Sequence, residues 1–180
     1  MADKSVHPYA AERYVPSVPK CGGLTLKFSG TSLIMSGGTK SYSYPADSGR
    51  PRVQRNCSEK GTSLSPTFDY SAKSQGLSGV GPIPAGEYWI NPAELQKNSL
   101  RRIMNPTDAW GNYWITIHPY PDTKTGVRGG FFLHGGASRG SAGCIDLTKY
   151  IDAFVSDLKA ELASAMGEET ECYIPLTVKY

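Results

Sequence analysis

Short runs in which apolar and polar residues alternate, broken by glycine and serine, fill the first quarter of the chain. Leu24-Thr-Leu-Lys-Phe28, Ser32-Leu-Ile-Met35 and Lys40-Ser-Tyr-Ser-Tyr44 read as strands, and the Ser29-Gly-Thr and Ser36-Gly-Gly breaks between them predict a meander. Further strands are expected over Glu87–Asn91, Tyr113–His118, Phe131–His134 and Cys172–Lys179. One segment changes period. Leu147, Ile151, Val155, Leu158 and Leu162 recur at intervals of four, four, three and four, which is one face of an amphipathic helix over residues 147 to 165. Asp146 suits its N-cap and Gly167 its end. From Ala46 to Gly81 no period is sustained, which predicts a long loop or a mobile flap walling a groove. Residues 1–20 are polar and carry proline, so a flexible tail is expected ahead of one domain over 21–180.

Composition narrows the class to a compact, mainly β domain. The 180 residues suffice to bury a core, and 20 Gly with 13 Pro call for many turns. A net charge of +3 is a mild positive bias that would suit an anionic surface. Arg50, Arg52 and Arg55 form one dense basic group and Arg101-Arg102 another. Neither has the interleaved aromatics of a nucleic-acid surface, so nucleic acid is not an expected partner. No apolar stretch reaches the length of a membrane span, so no membrane insertion is expected.

Candidate chemistry concentrates in Phe131-Phe-Leu-His-Gly-Gly-Ala-Ser-Arg-Gly-Ser-Ala-Gly-Cys-Ile-Asp146. His134 should stand at the end of a buried strand and at a sheet edge, with Cys144 two residues before the helix cap. There a base and a positive helix end would favour the thiolate. Gly143 lets backbone amides converge on an oxyanion. Within the His–Cys loop, Arg139 and Ser138 are candidates for touching substrate, the arginine by pairing with a carboxylate. Gly135 or Ser141 could orient His134. His118 could approach the same sheet end, although a strand-end hydrogen-bonding role is the commoner one. Zinc is poorly supported, with no Cys-x-x-Cys, no His-x-x-x-His and only three histidines. A papain-like order would put the cysteine first.

The string His134-Gly-Gly…Ser141-Ala-Gly-Cys144-Ile resembles the signature of the L,D-transpeptidase catalytic-domain family, in which a His-Gly precedes a Ser-His-Gly-Cys nucleophile motif. A subset of type VI secretion toxins is more similar still. Those have the histidine ten residues before the cysteine and a Gly-Pro-Ile-Pro-x-Gly-x-Tyr segment, here Gly81-Pro-Ile-Pro-Ala-Gly-Glu-Tyr88. With Tyr44-Pro-Ala-Asp-Ser-Gly49, the matching blocks span residues 24 to 147.

The resemblance implies an L,D-transpeptidase-like β-sandwich with one long amphipathic helix after the catalytic cysteine. It implies catalysis by Cys144, His134 and Gly143, substrate binding by Ser141, Arg139, Ser138, Gly135 and His118, and neither cofactor nor metal. The reaction implied is cleavage of the diaminopimelate–D-alanine bond of peptidoglycan tetrapeptide stems, or exchange of that D-alanine, through a Cys144 thioester. Ala142 departs from the pattern where the family has its second histidine, which leaves His134 as the base. It also keeps alive a non-catalytic peptidoglycan-binding module on the same fold; a cell-wall cysteine amidase or endopeptidase is the other alternative. The implied partners are stem peptides, type VI delivery components and a cognate immunity protein plugging the groove over Cys144. The N-terminus lacks the apolar core of a secretory signal. A signal has therefore been removed, or the protein is made in the cytoplasm and delivered to act in the periplasm of a target bacterium. With Cys144 free, Cys21, Cys57 and Cys172 supply at most one disulfide, of open pairing.

Overall fold

A computed structural model of the chain describes residues 15–58, 61–98, 107–167 and 171–180. Its strands are β1 (Thr25–Phe28), β2 (Ser32–Ser36), β3 (Tyr42–Pro45), β4 (Asp47–Ser48), β5 (Arg52–Ser58) and β6 (Gly61–Thr67). They continue with β7 (Gly86–Ile90), β8 (Gln96–Lys97), β9 (Tyr113–Pro119), β10 (Phe131–His134), β11 (Ile145–Asp146) and β12 (Ile174–Val178). The helices are α1 (Ala72–Gln75), α2 (Thr107–Trp110) and α3 (Ile151–Met166).

The fold is mainly β. One ten-stranded sheet runs in the order β3-β2-β1-β12-β7-β9-β10-β11-β4, with β8 also beside β9. Its two outermost strands, β3 and β4, are separated in the chain only by buried Ala46. The chain leaves one edge of the sheet and at once joins the other, so the sheet is nearly closed. The expected meander forms as β1–β3, with Leu26 opposite Met35 and Leu33 opposite Tyr44. The C-terminal strand β12 inserts between β1 and β7, parallel to the first and antiparallel to the second. Leu24, Leu26, Leu33, Ile115, Ile117, Leu133 and Leu176 fill the interior, and α3 adds Ile151, Phe154, Val155 and Leu158.

Three expectations change. The helix starts at Ile151, after a 3₁₀ turn over Thr148–Tyr150. Its anticipated first residues serve the loop instead: the Leu147 amide donates to the His134 carbonyl, and the Thr148 carbonyl accepts from the Gly136 amide. Asp146 is accordingly the last residue of β11 and no helix cap, whereas Gly167 ends α3 as expected, donating to the Ala163 carbonyl. The stretch from Ala46 to Gly81 is largely structured: it holds β4, the β5–β6 hairpin and α1. Of the anticipated tail, residues 1–14 lie outside the described residues. Its end is docked, with Lys20 bridging Tyr173 and the Pro19 carbonyl accepting from the Tyr173 amide. Beside this bridge Cys21 is disulfide-bonded to Cys172. The side chain of Cys57 and the pair Arg101-Arg102 lie outside the described residues.

A buried carboxylate locks α3 to the β2–β3 turn. Glu161 accepts from the Thr39 hydroxyl at 2.6 Å, the Thr39 amide at 2.7 Å, the Tyr42 hydroxyl at 2.9 Å and the Lys40 amide at 3.2 Å. The two Thr39 bonds, and then those from Tyr42 and Lys40, hold this carboxyl below the ordinary range against the opposing effect of burial. A depressed folded-state value stabilises above the unfolded one, and that stabilisation fades as pH falls through the folded value. Glu161→Gln is therefore expected to melt below wild type at neutral pH, with the gap narrowing as pH falls below the ordinary carboxylate range. Thermal denaturation across pH checks this; a gap independent of pH would assign the effect to shape alone.

Candidate active site

Four neighbouring strands bring the site together. In the sheet register Asp47 of β4 lies opposite Asp146 of β11, Asp146 opposite His134 of β10, and His134 opposite Trp114 of β9. His134 does end a buried strand, but β10 is flanked on both sides, so the residue is not at a lateral sheet edge. Cys144 directly precedes β11, which runs parallel to β10, and its thiol interacts with the His134 ring. Both are buried, His134 at 1% exposure and Cys144 at 4%. α3 begins at Ile151, after the 3₁₀ turn, and the Ile151 side chain packs against Gly135 beside His134.

The orientation of His134 follows from its partners. Nδ1 lies 2.5 Å from the Gly135 carbonyl oxygen. A carbonyl only accepts, so Nδ1 carries the proton and Nε2 holds the lone pair of the neutral ring. Nε2 is buried and makes no completed hydrogen bond. The group acting on it is Cys144. Burial pushes the imidazole down, but the interaction with Cys144, the Gly135 carbonyl and the charge of Asp146 outweigh it and hold the pKa above the usual histidine value. The ring leans on Trp110 at 4.8 Å between centroids, and the Trp110 carbonyl accepts from the Gly135 amide at 3.1 Å. Trp114 and Phe132 complete an aromatic wall on this face.

Asp146 holds the His–Cys loop in place. Its carboxylate accepts from the Gly140 amide at 2.8 Å and the Thr148 amide at 2.7 Å. Burial raises its pKa, and the charge of Asp47 adds to that, against the opposing pull of His134 and the two amides. Arg139 reaches back across the loop to grip Asp47, Nε at 2.7 Å and Nη2 at 2.8 Å, with its guanidinium over the Phe68 ring. Two of its donor nitrogens are thus engaged within the protein, and half of the side chain stays open to solvent. Ser138 is exposed in the same loop, and the Ser141 carbonyl accepts from the Gly49 amide at 2.9 Å. Gly143 adopts φ 82, and a Cβ there would come within 2.9 Å of Arg128 Nη2 and 3.2 Å of the Phe131 ring, so only glycine fits without displacement. Neither the Gly143 nor the Cys144 amide is used in a turn or loop hydrogen bond.

His118 lies elsewhere. The antiparallel pairing of β9 and β10 puts Trp114 beside His134 and runs His118 four residues away, about 13 Å along the strand. There it bonds Glu94 at 2.7 Å and stacks on Trp89. This is the strand-end hydrogen-bonding role read as the commoner one, and the reversal of direction sets it apart from Trp114 and His134.

Arg128 was not visible as a site residue in the sequence. It is 8% exposed and donates to the carbonyls of Gln75, Pro82 and Gly81, the last at 2.9 Å, with its guanidinium 5.6 Å above the Phe131 ring. The Gly81-Pro82 segment therefore works through its carbonyls. At Gly81 a Cβ would lie 2.0 Å from the Ser74 carbonyl oxygen, which is why the loop can fold this closely on α1.

Among the described residues no helix is long and apolar enough to cross a membrane, and no group of His, Cys, Asp and Glu side chains is placed to hold a metal. A family model described as the Tlde1 domain matches residues 67–167, more than half of the chain, including Gly81–Tyr88, Arg128, His134 and Cys144. No curated protein matches the chain.

Proposed function

Because the chain belongs to the Tlde1 domain family, a family of type VI secretion effectors, we propose that it is an antibacterial cysteine acyltransferase on an L,D-transpeptidase-like fold that attacks peptidoglycan stem peptides. The observation carrying this reading is the pairing of His134 with Cys144. The ring commits Nδ1 to the Gly135 carbonyl and leaves buried Nε2 to the one cysteine that is free among the described residues.

Nε2 takes the thiol proton, and the thiolate attacks the carbonyl between diaminopimelate and the terminal D-alanine. The Gly143 and Cys144 amides receive the oxyanion. The C–N bond breaks, the leaving amine takes the proton from His134, and a thioester on Cys144 remains. Water, deprotonated by His134, then attacks the thioester, freeing the tetrapeptide's shortened stem and restoring the thiol. A free D-amino acid in place of water gives exchange, which the short loop from His134 to Cys144 favours by leaving the acyl-enzyme open. The half-exposed Arg139 side chain and exposed Ser138 are the loop groups offered to a terminal carboxylate.

Membership of an effector family implies a secretion machine and an immunity protein in the producer. The Cys21–Cys172 disulfide supports action in an oxidising compartment such as the periplasm. The test is incubation with purified tetrapeptide muropeptides, with and without a free D-amino acid, and resolution of the products by mass. Loss of D-alanine, or a mass shift to the added amino acid, is the expected result. Unchanged muropeptides retained by the protein would convert the reading to a binding module.

A further inference from the structure

Arg128 is a buried cation with no countercharge paired to it among the described residues. Its hydrogen bonds go to three neutral carbonyls, and among the described residues no carboxylate pairs with it. Carbonyls satisfy N–H groups but carry no net charge, so desolvating a guanidinium against them alone is unfavourable. Its Nη2 packs against the backbone of Gly143, the residue before Cys144. Burial pushes Arg128 down, while Tyr88, Tyr180 and Cys144 push it back up. Of these three, the cysteine is the one that becomes an anion during acyl transfer.

We propose that Arg128 is a positioning residue that holds Cys144 as thiolate, its charge fixed beside the sulfur by the Gln75, Gly81 and Pro82 carbonyls. The inference rests on Cys144 being the reacting thiol of the proposed function. It assigns a task to the Gly81-Pro-Ile-Pro segment: its carbonyls aim a cation at the site from behind, and no side chain of the segment need touch substrate.

The oxidised full-length protein is alkylated with iodoacetamide at neutral pH, with modification of Cys144 followed by peptide mass. Arg128→Gln is expected to slow this about tenfold, and Arg128→Lys, which keeps the charge, to restore most of the rate. The ultraviolet absorbance of the Cys144 thiolate, taken as the difference from Cys144→Ala, should rise at higher pH in Arg128→Gln alone. A residue that merely staples the loop gives another pattern. Lysine cannot span three carbonyls as the planar guanidinium does, so both variants would melt early while alkylating at the wild-type rate, and that result overturns the proposal. Should Arg128→Gln not fold, His134→Gln decides. With the imidazole gone, Arg128 is the cation left beside the sulfur, and the Cys144 thiolate absorbance must still rise at lower pH than that of free cysteine. A rise at or above the pH of free cysteine overturns the assignment. None of these measurements uses peptidoglycan. A protein that passes them yet releases no D-alanine would lose its proposed substrate and keep its charged arginine.

Discussion

Replacing Cys144 with alanine will abolish D-alanine release from tetrapeptide muropeptides, and replacing His134 with glutamine will lower it by about a thousandfold. The first removes the atom that forms the thioester. The second leaves the nucleophile but takes away both proton transfers, from the thiol on attack and to the amine on departure. Glutamine cannot accept a proton at the Nε2 position, so the loss should fall on kcat more than on KM. His134 has little freedom to compensate. Its Nδ1 is tied to the Gly135 carbonyl, its ring lies against Trp110, and the Leu147 amide pins its own carbonyl. Because the orienting group is a main-chain oxygen, no side-chain substitution deletes it. The raised imidazole pKa means the ring keeps its proton to a higher pH than an ordinary histidine, so the acid needed by the leaving amine persists above the usual histidine range. The alkaline limb of the rate profile should therefore lie above that range in wild type. Release measured by mass, with melting curves to verify the fold, checks both variants. A His134→Gln protein within tenfold of wild type would remove histidine from the mechanism.

The sequence made the site legible where chemistry is carried by residue type and spacing. His134 follows an apolar strand and Cys144 follows glycine, and both facts survive folding because β10 and β11 are short and local. Arg128 was invisible for a physical reason. Nothing about an arginine between Val127 and Gly129 announces burial; its role comes from carbonyls more than forty residues away. The Asp47–Arg139 pair was equally unreadable, since β4 reaches β11 only because the sheet almost closes. His118 shows where that legibility stops. Alternation correctly gave its strand, but sequence does not state which end of an antiparallel neighbour it faces. The β5–β6 hairpin escaped because it pairs outside the main sheet and so buries no apolar face: Val53 and Leu64 stay exposed. Period-two patterning records burial on one side, and a strand without it leaves no trace.

Reduction of the Cys21–Cys172 bond should lower the melting temperature by about 10 °C or more, and Cys21→Ser with Cys172→Ser should abolish that sensitivity. The bond joins residues 151 apart in sequence, and closing a loop of that length constrains the unfolded chain by about 5 kcal/mol in the chain-entropy model. Its location amplifies the effect. Cys21 sits where the N-terminal segment docks, with its amide bonded to the Tyr173 carbonyl, and Cys172 leads directly into β12. That strand lies between β1 and β7, so fraying at the disulfide opens the sheet near its middle. Melting followed with and without reductant, in wild type and the double serine variant, measures this; an unchanged transition in reduced wild type would show that the docked ends suffice. The same chain needs one pair of cysteines oxidised and a third, Cys144, as thiol. Burial of Cys144 to 4% exposure limits its access to oxidants while the structural pair closes. A compartment that forms disulfides then stabilises the fold without consuming the nucleophile, whereas in a reducing cytoplasm the same molecule carries its reactive site on a weaker frame.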